Sequence, residues 1–205
     1  MIKERPGPLH SAYRIASTLF FLLLLAGAGW AQGNLRISEP LALRNDFGYE
    51  LIGRMKDRIL LFRDKYDEFE IHAFDNAMRM SWNRKLEDLD KNGIQILAVI
   101  GGKNDFSIVY KRRRRGNTTL HIHKYDAGAN LMDSMTIKSY GERLFSPPDI
   151  EILQSEDRNC LVAMNTAERT RMETVCFRLD NMQVLWDKTI ELNDSYYDSN
   201  IQSLA

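Results

Sequence analysis

The chain has 205 residues, 28 Lys and Arg against 28 Asp and Glu, and two cysteines. Its formal charge is zero, and a balanced chain lacks the global basic excess of a general nucleic-acid or membrane-surface binder. The length bounds the chain to a single domain's worth of core once any leader is set aside.

The first predicted element is a secretory signal over residues 1–31. Lys3, Arg5, His10 and Arg14 form a basic head, Ile15 to Leu25 a short apolar middle, and Ala26 to Ala31 a stretch dominated by small residues. The apolar stretch is shorter than the roughly 20 residues that span a hydrocarbon core, which favours cleavage over the alternative of an uncleaved membrane anchor. Gly29 and Ala31 fit the two small-residue positions, so the expected cut leaves Gln32 first. No Cys follows directly, which argues against a lipid anchor. Removing three Lys/Arg and one Asp/Glu leaves 25 against 27, a nearly neutral exported chain, periplasmic or extracellular.

After a lead-in over 32–47, residues 48–193 read as three units of about fifty residues, spanning about 48–91, 92–146 and 147–193. Each unit holds four short apolar runs. In the first they are Tyr49 to Ile52, Ile59 to Phe62, Phe69 to Asp75 and Met78 to Leu86. In the second they are Ile94 to Ile100, Phe106 to Tyr110, Leu120 to Asp126 and Leu131 to Ile137. In the third they are Ile150 to Leu153, Leu161 to Met164, Thr174 to Asp180 and Val184 to Ile190. Asp75, Asp126 and Asp180 end the third run of each unit, 51 and 54 residues apart, the period of a four-stranded blade. Alternation is only partial, as expected where both faces of a sheet are covered. Gly116-Asn117, Asp126-Ala127-Gly128 and Asp180-Asn181 supply turn chemistry, and helical periodicity is nowhere sustained. The expected fold is all-β, an incomplete propeller-like stack of about three four-stranded antiparallel blades, with residues 194–205 as the start of a fourth or a tail.

Ile71 to Asp75 followed by Trp82, and Val175 to Asp180 followed by Leu185-Trp186, resemble the blade signature of quinoprotein-type β-propellers. The middle unit departs from it with Met135 or Ile137 in the Trp position, and Asn76-Ala77 and Asn181-Met182 stand where a Thr-Gly turn is usual. The resemblance implies the fold, without a cofactor. It casts Asp75, Asp126 and Asp180 as turn residues bonding backbone amides, and Trp82 and Trp186 as fillers between blades. Roughly four to eight blades close a ring, so three imply a truncated product, self-association that closes the ring, or an open stack.

Lys111, Arg112, Arg113, Arg114 and Arg115 form the most conspicuous run, expected at a hairpin tip. It reads as a polyanion-binding patch or as a solvated loop, facing an acidic hairpin of Asp64, Asp67, Glu68 and Glu70 on the same rim. His121 and His123 share a strand face, with His72 in the column of His123; Phe177 occupies that column in the third unit, which points to packing and no metal site. Cys160 and Cys176 flank a hairpin centred near Glu168 and are a possible adjacent-strand disulfide or two buried thiols. Asn117-Thr118-Thr119 and Asn193-Asp194-Ser195 match the glycosylation acceptor pattern. No carboxylate pair, nucleophile elbow or phosphate loop has catalytic spacing, so no catalytic residue is assigned. The expected function is a non-catalytic binding module for a protein or glycan partner. The alternatives are the amino-terminal part of a larger propeller enzyme, a hydrolase or quinone-type oxidoreductase, and a polyanion-binding surface protein using Lys111 to Arg115.

Overall fold

Valine, isoleucine, tyrosine, phenylalanine and threonine, spaced with a period of two and interrupted by Asx and glycine turns, drive the chain into strands. The computed structural model describes residues 37–38, 46–142, 147–167 and 171–191. The signal segment and its cleavage site, most of the lead-in, Glu168, Asn193-Asp194-Ser195 and residues 194–205 lie outside the described residues. Among the described residues twelve strands form three four-stranded antiparallel sheets. Blade 1 is β1 (Asp46–Met55), β2 (Arg58–Lys65), β3 (Phe69–Phe74) and β4 (Met80–Lys85). Blade 2 is β5 (Ile94–Gly101), β6 (Asp105–Arg114), β7 (Asn117–Asp126) and β8 (Leu131–Glu142). Blade 3 is β9 (Ile150–Gln154), β10 (Cys160–Ala167), β11 (Arg171–Arg178) and β12 (Gln183–Glu191).

Within each sheet the strands follow chain order, and the sheets do not close into a barrel. The first strand of each blade lies beside the first strand of the next, β1 by β5 and β5 by β9. Gly101 permits that approach, because a Cβ there would sit 2.0 Å from the Ile52 carbonyl oxygen. This is a propeller-like stack of three blades.

Because successive side chains alternate across a strand, each blade has a leading face toward the preceding blade and a trailing face toward the following one. Two apolar cores fill the two junctions. In the first, Leu60, Phe62, Phe69, Ile71 and Ala73 of blade 1 pack with Phe106, Ile108, Tyr110 and Tyr125 of blade 2. In the second, Val109, Leu120, Ile122, Ile137 and Tyr140 of blade 2 pack with Leu161, Ala163, Val175, Phe177 and Leu179 of blade 3. The middle blade is thus covered on both faces, which explains the weak polar alternation of its central strands.

The unit-ending aspartates act in the turns as their residue type implies. Asp75 Oδ1 accepts the Ala77 and Arg79 amides at 2.8 and 2.9 Å, and Asp126 Oδ1 accepts those of Gly128 and Asn130 at 2.8 and 2.9 Å. In both turns the third residue on, Met78 or Ala129, takes a positive φ of 63° or 59°. Asp180 departs from this pattern: among the described residues its carboxylate accepts the adjacent Asn181 amide alone, at 2.6 Å, and the positive φ falls two residues on, at Met182.

Candidate functional site

Polar groups converge on a cleft of about 610 Å³ at the junction of blades 2 and 3. The turn 102–104, the turn 155–159 and the residues after β11 build its walls, with Ile100 and Ser107 among the lining residues. Turns form the walls because Ser155, Asp157 and Asp180 bond their own backbones. The Ser155 hydroxyl donates to Asp157 Oδ1 at 2.6 Å and accepts the Cys160 amide at 2.9 Å, while Asp157 Oδ1 accepts the Asn159 amide at 3.0 Å.

The charges of the cleft divide into committed and uncommitted groups. Lys124 Nζ donates to the carbonyls of Leu179 and Asp180 at 3.1 and 3.0 Å and lies 3.4 Å from Asp105. It staples the two blades and has no capacity left for a ligand. The Ser155 hydroxyl, with the Asn159 amide, holds the Asp157 carboxyl below the usual range, so it stays ionised. Lys103 and Arg158 are exposed, and their side chains have no hydrogen bond or ion pair among the described residues. Asn104 and Asn159 offer amides, and Ser107 is only 3% exposed. The cleft can therefore hold a ligand carrying both donors and acceptors. The lining is short of apolar surface, unlike the usual small-molecule pocket.

The basic run is differently placed from the expected hairpin tip. Lys111 to Arg114 continue β6, paired with β7 as far as Arg114↔Asn117, and only Arg115 and Gly116 make the turn, at φ 51° and 83°. Two successive positive φ values match the twist of paired strands, so the ladder runs to a two-residue turn and takes the arginines into the sheet. Alternation then splits the run between faces. The Arg112 guanidinium lies 5.7 Å from the centroid of the Tyr110 ring, and Lys111 Nζ reaches the Pro148 carbonyl at 3.5 Å. Arg114 and Arg115 are exposed without an ion pair among the described residues. Among the described residues the acidic hairpin pairs with other cations: Asp64 with Lys91, Glu68 with Lys65 and Lys85, and Glu70 with Lys65 and with His72. Asn117, the potential glycan acceptor, sits within β7 beside Thr118, which is 1% exposed.

The histidine column lies between blades, as its Phe177 equivalent indicates. His123 Nδ1 is 2.8 Å from Asp88 Oδ2, and its Nε2 is 2.8 Å from the Tyr110 hydroxyl. This repeats the order of a proton relay, but it ends on a phenol that is 1% exposed and stacked on His121 with ring centroids 5.2 Å apart. A substrate has no access to that oxygen, so the chain of bonds ties the linker after blade 1 to blade 2. Burial pushes the Asp88 carboxyl up, but the bonds from His123 and Tyr125 outweigh it and hold the group below the ordinary range. Burial, with the Arg112 and His123 charges, pushes the His121 imidazole down to about 4. Among the described residues no three His, Cys, Asp or Glu side chains converge as a metal site would require.

Both cysteines are free thiols. β10 and β11 pair as Val162↔Cys176 and Cys160↔Arg178, which makes the two cysteines diagonal neighbours. The expected centre near Glu168 was one residue off, and an antiparallel partner moves by two when the centre moves by one. Burial, then the neighbouring Cys160, pushes the Cys176 thiol up, which keeps it protonated. Trp82 pairs with Ala73 and packs into the first junction. Trp186, opposite Cys176, lies on the same face of its own blade, but it is 39% exposed with no blade against it among the described residues.

No family model and no curated protein matches the chain. Among solved structures, the chain is similar to the β-propeller domain of Nup133 from Vanderwaltozyma polyspora, with a TM-score of 0.37 and 9% identity. The match covers 80% of this chain and spans about half, 52%, of that one.

Proposed function

We propose that this protein is an exported, non-catalytic interaction module that binds a polar segment of a protein or glycan partner in the cleft between blades 2 and 3. The carrying observation is the division of groups there. Lys124, Asp105 and Asp157 are tied into the scaffold, which leaves Lys103, Arg158, Asn104 and Asn159 on the walls. A rigid frame presenting loop-borne polar side chains is the usual construction of a recognition surface. An Asp157 carboxyl held ionised suits accepting hydrogen bonds and does not suit the general-acid role that hydrolysis by a carboxyl pair needs.

The test is binding to glycan and peptide arrays by the wild-type chain and by a Lys103→Glu, Arg158→Glu double variant. Loss of the captured ligands with an unchanged urea midpoint supports the cleft, and unchanged capture overturns it. Export is tested by sequencing the amino terminus of the secreted form, expected at Gln32.

A second reading is polyanion binding at the end of β6, favoured by the unpaired, adjacent charges of Arg114 and Arg115. It predicts retention on a sulfated polymer that falls steeply with salt and is abolished by Arg114→Ser with Arg115→Ser, while the cleft variant is retained normally.

A further inference from the structure

The two ends of the stack are built differently. The leading flank of blade 1 is closed by charge. Asp46 Oδ2 lies 2.5 Å from Arg63 Nη2, Arg63 Nη1 3.2 Å from His72 Nε2, and His72 Nε2 2.9 Å from Glu70 Oε2. A polar end of this kind caps a repeat array.

The trailing face of blade 3 is the opposite. The row Leu153, Val162, Cys176 and Trp186 crosses all four strands in register and is apolar from edge to edge. Leu153 is 42% and Trp186 39% exposed. On the same face of blades 1 and 2 the fourth strands carry Trp82 and Met135, both packed in junctions against the next blade. The blade 3 face thus has the composition of a junction and nothing packed on it among the described residues.

We propose that this face is a homodimer interface, on which the same face of a second copy packs about a two-fold axis parallel to the strands. Such an axis places β9 of one copy over β12 of the other and keeps each cross-strand row aligned. Leu153 then meets Trp186 of the second copy, and Val162 meets Cys176. The adjacent row carries Glu151 at its β9 end and Lys188 at its β12 end, through the pairings Glu151↔Met164, Met164↔Thr174 and Thr174↔Lys188. Both charges are exposed and unpaired within the chain among the described residues. The two-fold sets each Glu151 opposite a Lys188, twice per dimer. Stacking blade 3 of one copy on blade 1 of another, which would close a ring, sets the apolar row against the buried Asp46–Arg63–His72 network and offers no such match.

Sedimentation velocity of the purified chain tests this. The wild type is expected as a dimer, and Trp186→Asp as a monomer with its urea midpoint unchanged at a concentration where the wild type is also dissociated. Glu151→Lys and Lys188→Glu are each expected to raise the dimer Kd at least tenfold, and the double charge exchange to bring it back to within about threefold of wild type. A monomeric wild type, or one that forms larger rings, overturns the proposal. Failure of the double exchange to restore dimerisation overturns the two-fold arrangement.

Discussion

Replacing Phe177 by Ala probes whether blades 2 and 3 form one cooperative unit. Phe177 is 0% exposed in the second junction, on the face of β11 that meets Val109, Leu120 and Ile122. Truncating a fully buried ring removes at least ~150 Å² of apolar contact surface, which at ~25 cal/mol per Å² is about 4 kcal/mol. The residual cavity adds to this and local collapse subtracts, so the expected loss is about 3–5 kcal/mol. That is a large part of the roughly 5–15 kcal/mol that holds a domain together, and it lowers Tm by on the order of 10 °C. Urea unfolding followed by far-ultraviolet circular dichroism and by tryptophan fluorescence reads the loss. A single coincident transition at a lower midpoint is expected. A loss below about 1 kcal/mol, or two separated transitions, would refute the stacked arrangement. Trp186→Ala is the matched control at monomer concentration: with no blade against it in the monomer, its loss is expected to be less than half that of Phe177→Ala.

Asp126→Ala removes the acceptor for the Gly128 and Asn130 amides and is expected to cost about 1–2 kcal/mol, whereas Asp180→Ala, which loses one bond to an adjacent amide, is expected to cost less than half as much in the same urea titration. His121 has its pKa lowered in the fold, from 6.5 to about 4, so the unfolded chain binds this proton first as pH falls; the associated stability is full above pH 6.5 and lost between there and about 4. After a discount for solvent access that limb is about 1–2 kcal/mol, and His121→Gln should flatten it in urea titrations across this range. Arg114→Ser with Arg115→Ser should leave stability within about 0.5 kcal/mol, while Arg112→Ser, which loses the contact over Tyr110, should cost about 0.5–1 kcal/mol. Alkylation of the unfolded, unreduced chain should label both Cys160 and Cys176; an intrachain bond between them would refute the Val162↔Cys176 register.

Twelve strand positions, their grouping in fours and the turn role of Asp75 and Asp126 were legible in the sequence. Those features are local: they follow from apolar runs, from Asx chemistry and from a repeat that returns every fifty or so residues. The column equivalence of His72, His123 and Phe177 was legible for the same reason, because a strand's two faces follow from counting by two. What the sequence left open depends on register and on what lies across a junction. A hairpin centre moved by one residue turns Cys160 and Cys176 from facing to diagonal. The ladder's reach to Arg114 converts a charged loop into a charged strand. The cleft was invisible because Lys103, Lys124, Arg158 and Asp180 are up to 77 residues apart in sequence and belong to different turns. Trp82 and Trp186 share one motif and one face of their blades, yet only tertiary packing separates them. A blade covers the first, and none of the described residues covers the second, because burial belongs to the neighbouring sheet and not to the residue.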